Sequence, residues 1–146
     1  MTNFTKQKPP LWFWIVSFFA LLWNALGVSE YLHQAYKTDY FYSKFPDPKV
    51  LEIVLNTPIW VMAGFATAVI FGALGCVMLM LRKKWAQPFF IISLIGILTQ
   101  MFYNIFLSGS IEIYGLAAII FPIFVVVLGM ALLFLSRAAI RKHWIN

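Results

Sequence analysis

Charge is scarce in this sequence. Only 11% of its 146 residues are Asp, Glu, Lys or Arg, against about a quarter in a typical soluble domain. A chain that is also 62% hydrophobic would leave large apolar patches against water. That excludes an ordinary soluble fold and makes a bilayer the natural solvent. Cysteine is scarcer still. The lone Cys76 rules out an intramolecular disulfide, a CxxC redox pair and a cysteine zinc site, and reads as a small packing residue. The two histidines, His33 and His143, fall on opposite sides of the predicted bilayer and cannot share a metal or a haem. With no Ser/His/Asp arrangement, metal-ligand cluster or glycine-rich phosphate loop, neither enzyme chemistry nor a cofactor is expected.

What the chain does have is four long apolar runs, at about 11–32, 58–81, 88–107 and 114–135. Each is roughly 20 residues or longer, enough at about 1.5 Å rise per residue to cross a hydrocarbon core of about 30 Å. Backbone amides in lipid must pair within their own segment, so helix is the expected state. The fold class is therefore an all-α integral membrane protein, a four-transmembrane-helix bundle forming a single membrane domain over 1–146. Prolines mark the starts: Pro9-Pro10 before the first helix, Thr57-Pro58 as N-cap and first position of the second, and Gln87-Pro88 opening the third. The first run is too long for a cleaved signal peptide, and bulky residues follow Gly27-Val28-Ser29-Glu30-Tyr31 where a small-x-small cleavage site would stand.

The net charge of +6 is topogenic in pattern rather than a nucleic-acid footprint. Lys6 and Lys8, then Arg82-Lys83-Lys84, then Arg137, Arg141 and Lys142 make eight basic residues beside apolar runs with no acid among them. The first connection sets Lys37, Lys44 and Lys49 against Asp39, Asp47 and Glu52, and the third carries only Glu112. Both termini are predicted to be cytoplasmic, in the inner membrane of a bacterium. The first external connection, about 36–56, is the long one. Within it Asp47-Pro48 reads as N-cap and first turn of a short interfacial helix with Val50, Leu51, Val54 and Leu55 on its apolar face; the alternative is a plain turn.

At an offset of 76, Phe13-Trp14-Ile15-Val16-Ser17 meets Phe89-Phe90-Ile91-Ile92-Ser93, and Asn24 meets Gln100. This suggests a parallel two-plus-two internal repeat, though apolar segments also align by chance. Ser17/Asn24 and Ser93/Gln100 are each two turns apart, hence on one face. Polar groups are costly in hydrocarbon, so these stripes are expected to point into the bundle. Continued outward, the first stripe runs through Asn24, Glu30, Tyr31, His33 and Gln34, and the third-helix stripe through Gln100, Tyr103 and Asn104. Together they predict a polar pocket between the first and third helices, opening outward and suited to a neutral ligand. Interhelical hydrogen bonding is the competing reading for Asn24, Gln100 and Asn104. Glu30 and His33, three apart, suggest an interfacial ion pair. Gly64, Ala68, Gly72 and Cys76 form a small-xxx-small ridge on the second helix for close packing within the bundle or between protomers. Pro122 predicts a kink in the fourth helix.

The runs PLWFWIVSFFALLWNALGVSEYL (10–32), NTPIWVMAGFATAVIFGALGCVMLMLRKK (56–84) and the stretch 85–107 resemble small four-helix bacterial inner-membrane proteins often labelled sugar transporters. The plan is also similar to DoxX-like four-helix proteins in topology. The resemblance implies a four-helix bundle and favours transport. Two features depart from other small transporters: Asn24 stands where small multidrug-resistance proteins carry a deep carboxylate, and Gln87-Pro88 reverses the Pro-Gln signature of small sugar-facilitator repeats. Three functions are expected in descending order. The first is a carrier of a sugar-like or other neutral solute, working as a homodimer. The second is an accessory or assembly subunit with partners in a larger membrane complex, and the third a quinone-linked or lipid-modifying enzyme. Beyond the lipid bilayer, nucleic acid is not expected among its partners.

Overall fold

The computed structural model describes residues 7–107, 109, 112 and 115–145. Among them helices are the only regular structure: α1 (Leu11–Tyr36), α2 (Asp39–Ser43), α3 (Pro48–Leu55), α4 (Ile59–Met80), α5 (Ala86–Phe102), a π-helical turn (Tyr103–Leu107) and α6 (Ala117–Arg141). Four are long and apolar enough to span a membrane: α1, α4, α5 with its π turn, and α6. The multi-pass helical bundle expected from the apolar runs is present.

Element ends differ from expectation for local reasons. Pro58 is the N-cap of α4 rather than its first residue. The residue before a proline is pushed out of the helical region, and Thr57 turns its hydroxyl back to donate to the Val54 carbonyl at 2.7 Å instead of capping. Helix α5 starts at Ala86, so Pro88 lies inside its first turn, where a missing N–H costs nothing because that turn has no internal acceptor. Helix α6 runs through Pro122 to Arg141, past the predicted end at 135; its predicted start at Tyr114 lies outside the described residues. Helix α3 forms as expected, with the Asp47 carboxylate accepting from Lys49 N at 2.9 Å. Val50 is buried on its inner face, while Leu55 is exposed. Helix α2 was not expected. Thr38 caps it by accepting from Phe41 N, and Phe41 is its buried residue.

Helix α4 packs against α1 on one side and α5 on the other, and α5 packs in turn on α6. The four spans thus form a curled row with α1 and α6 at its edges. Lipid gives little hydrophobic drive between helices, so close contact needs small side chains. The ridge Gly64, Ala68, Gly72 and Cys76 is buried along α4. A Cβ on Gly96 of α5 would lie 2.6 Å from the Gly64 carbonyl oxygen and 2.7 Å from the Ala68 nitrogen, so the two backbones touch. Ser93 adds a buried hydrogen bond across the same seam, its hydroxyl donating to the Ala68 carbonyl at 2.6 Å. The ridge is spent inside the chain and is not free to pair two copies.

One end of the bundle is closed. Phe13, Leu79, Ala86, Phe90, Ala139 and Ile145 form a buried cluster there, and Trp144 sits edge-on to both Phe13 and Trp12 with ring centroids 5.6 Å away. The Arg82 guanidinium donates to the carbonyls of Trp144 (2.8 Å) and Gln7 (2.6 Å). Both described chain ends and the α4–α5 connection therefore meet at this end.

Candidate functional site

Towards the opposite end the row opens into a cavity of about 490 Å³, within the range of about 300–1,000 Å³ typical of small-molecule pockets. Its floor is Phe90 and Leu132, which belong to the closed cluster beneath. Its walls are apolar: Val69 of α4, Ile97 and Met101 of α5, Val125 and Leu128 of α6. Over its mouth lie Phe41 and Phe45 from the α1–α4 connection. From Asn24 to Gln34 the α1 lining spans ten residue steps, about 15 Å at the helical rise, or half the hydrocarbon thickness. A smaller hollow of about 180 Å³ adjoins it and shares Gln34, Phe45, Phe65, Gln100 and Asn104.

The polar residues divide into two groups. At the deep end Asn24 donates to its own helix at the Ala20 carbonyl (2.9 Å) and to Cys76 Sγ of α4 (3.7 Å). Its carboxamide occupies the space that Gly72 leaves open: a Cβ there would lie 2.1 Å from Asn24 Oδ1 and 3.2 Å from Ser93 Oγ. Asn24 of the α1 stripe and Ser93 of the α5 stripe converge through α4, on Gly72. Ser17, fully buried in α1, has no hydrogen-bond partner among the described residues.

Nearer the mouth, Gln34 of α1 and Gln100 of α5 line both hollows, and neither carboxamide has a hydrogen-bond partner among the described residues. Both residues are partly exposed, so their amides stand open to a ligand or to water. Asn104 reaches the same region from the π turn, and Tyr103 lines the smaller hollow. Such turns widen a helix by one residue and recur at functional sites; nothing in the apolar pattern announces this one. Glu30, also a lining residue, is paired with Lys44 and accepts from the Tyr40 hydroxyl at 3.3 Å. The expected Glu30–His33 pair is replaced, because α2 folds back and brings a lysine closer. His33 bonds instead to the Thr38 hydroxyl at 2.7 Å and stacks at 4.6 Å on Tyr40. Tyr31 packs edge-on to Phe65 at 5.6 Å. Neither His33 nor Tyr31 lines the cavity; both hold its surround. Among the described residues no group of His, Cys, Asp and Glu could hold a metal ion.

No protein-family model, curated protein or solved structure matches the chain.

Proposed function

We propose that the chain is a small-molecule carrier whose cavity binds an uncharged ligand through Gln34 and Gln100. The observation that supports this is the pair of carboxamides, unpartnered among the described residues, that line one apolar cavity. The charges at its lining among the described residues, Glu30 and Lys44, neutralise each other at the mouth, so a charged ligand would leave a buried charge unpaired. The cavity is blocked at the chain-terminal end and reached from the other, as in one half of an alternating-access cycle. Lys8, Arg82-Lys83-Lys84, Arg141 and Lys142 lie at the blocked end and the acids Glu30, Asp39, Asp47, Glu52 and Glu112 elsewhere, which supports cytoplasmic termini and an outward mouth. Cysteine placed at Asp47 in a Cys76→Ala background should then react with an impermeant maleimide in intact cells, and cysteine at Trp85 only after lysis. The reverse pattern would invert the orientation.

The test of binding is a thermal-shift screen of the purified protein against uncharged solutes, read alongside flux in liposomes. Gln100→Leu should abolish any shift while leaving the unliganded melting temperature unchanged. A drop in that temperature equal to the Asn24→Leu drop would return Gln100 to a structural role.

A further inference from the structure

The cavity has a side as well as a mouth. Helix α1 packs on α4 and α6 on α5, but α1 and α6, the edges of the row, are not closely packed on each other over the cavity. There the wall is made of side chains that both line the cavity and face outward: Leu26 (65% exposed) and Trp23 (43%) from α1, Phe121 (59%) from α6. The seam is bridged edge-on by Trp23 and Phe124, ring centroids 6.1 Å apart. Both helices are membrane spans, so the outward direction at this depth is hydrocarbon rather than water.

Building on the carrier reading above, we propose that the ligand is an uncharged single-chain amphiphile, a neutral glyceride or long-chain alcohol in chemical class, that enters sideways from the bilayer through the α1–α6 seam. The gradient of the lining fits that molecule. Val125, Leu128 and Leu132 offer an apolar channel leading down to Phe90. The amides able to receive a hydroxyl or ester head, Gln34 and Gln100, stand at the mouth end, level with the connection that carries Lys44 and Phe45. The deep polar groups do not compete for the chain, since Ser93 and Asn24 have their donors spent on Ala68, Ala20 and Cys76. A sugar-like polyol would meet the reverse: apolar walls along most of its surface and two free amides at one end.

The experiment uses the full-length protein in phosphatidylcholine vesicles containing a monoacylglycerol with a diazirine in its chain. After illumination, labelled positions are mapped by peptide mass spectrometry. Labelling concentrated several-fold on Trp23, Leu26, Phe121 and Leu128, over outward residues away from the seam such as Ile70, Ile91 and Ile95, is the expected result. It should fall to background in Leu128→Trp, and in Val125→Phe should the first variant not fold. Even labelling of all outward faces, unchanged by either variant, would overturn the proposal. In parallel, cysteine at Gln100 in the Cys76→Ala background is reacted with a water-soluble methanethiosulfonate. Even lipid labelling with a reactive cysteine that Leu128→Trp protects sinks the sideways amphiphile and keeps the carrier cavity. Even labelling with an unreactive cysteine sinks both.

Discussion

A Cβ on Gly72 would stand 2.1 Å from the carboxamide oxygen of Asn24, so the glycine of α4 and the asparagine of α1 occupy one shared space. Asn24 fits against α4 only because residue 72 has no side chain, and it uses the fit to reach Cys76. Gly72→Ala should therefore displace the amide and cost about 1–2 kcal/mol, as lost interhelical bonding does. Asn24→Ala alone should cost a similar amount. The double variant should cost clearly less than the sum, a coupling that a thermodynamic cycle of detergent unfolding measures. Additive costs would mean the two do not share the space.

Gly96 poses a harder case. Its Cβ would meet the backbone of Gly64 and Ala68 at 2.6 and 2.7 Å, and backbone cannot rotate aside. Gly96→Val should separate α4 from α5 and cost about 1–3 kcal/mol or more, with no single side-chain deletion restoring it. Rescue by Thr67→Gly, which removes the Cβ that stands 3.1 Å away, would show that the side chain rather than the backbone sets the limit.

Two of the buried serines, Ser93 and Ser17, should respond oppositely to alanine. Ser93→Ala removes the bond to the Ala68 carbonyl and should lower stability by about 0.6–2 kcal/mol. Ser17→Ala removes a hydroxyl that has no partner among the described residues and should be neutral or stabilising, since an unmade hydrogen bond is a cost in the parent. Melting of the two variants side by side decides this.

The Glu30–Lys44 pair is more than a third exposed on both sides, so its share of global stability is at most about 1 kcal/mol. Its effect is local: it pins the connection carrying Phe41 and Phe45 over the cavity mouth. Lys44→Met should leave the melting temperature almost unchanged and speed amide exchange through Asp39–Lys44. Unchanged exchange there would mean that Phe41, Tyr40 and the Thr38 cap hold the segment without the ion pair.

The spans were legible because hydrophobic length in lipid leaves one solution, and the small-residue ridge because backbone approach in lipid needs small side chains. The helix at Asp47-Pro48 was legible from its cap. Gln34 and Gln100 were placed on pocket-facing positions by periodicity alone, yet periodicity could not separate them from Asn24. That distinction depends on whether a partner stands opposite, and the partner of Asn24 lies 52 residues away at Cys76. Helix α2 was missed for the same reason. Its five residues, Asp-Tyr-Phe-Tyr-Ser, are too few to show a helical period, and it is held by Thr38 and by partners on α1. The π turn has no compositional mark at all.

The edge-on packing of Trp144 against Phe13 has a consequence for biosynthesis. The two side chains that close this end lie 131 positions apart in a chain made in one direction, so α1 enters the bilayer long before its cover exists. Until the segment around Trp144 emerges, Phe13 and Ser17 must be shielded by lipid, the insertion machinery or a chaperone. Shortening the chain before Trp144 should thus harm assembly of the first helix more than that of its nearer neighbours.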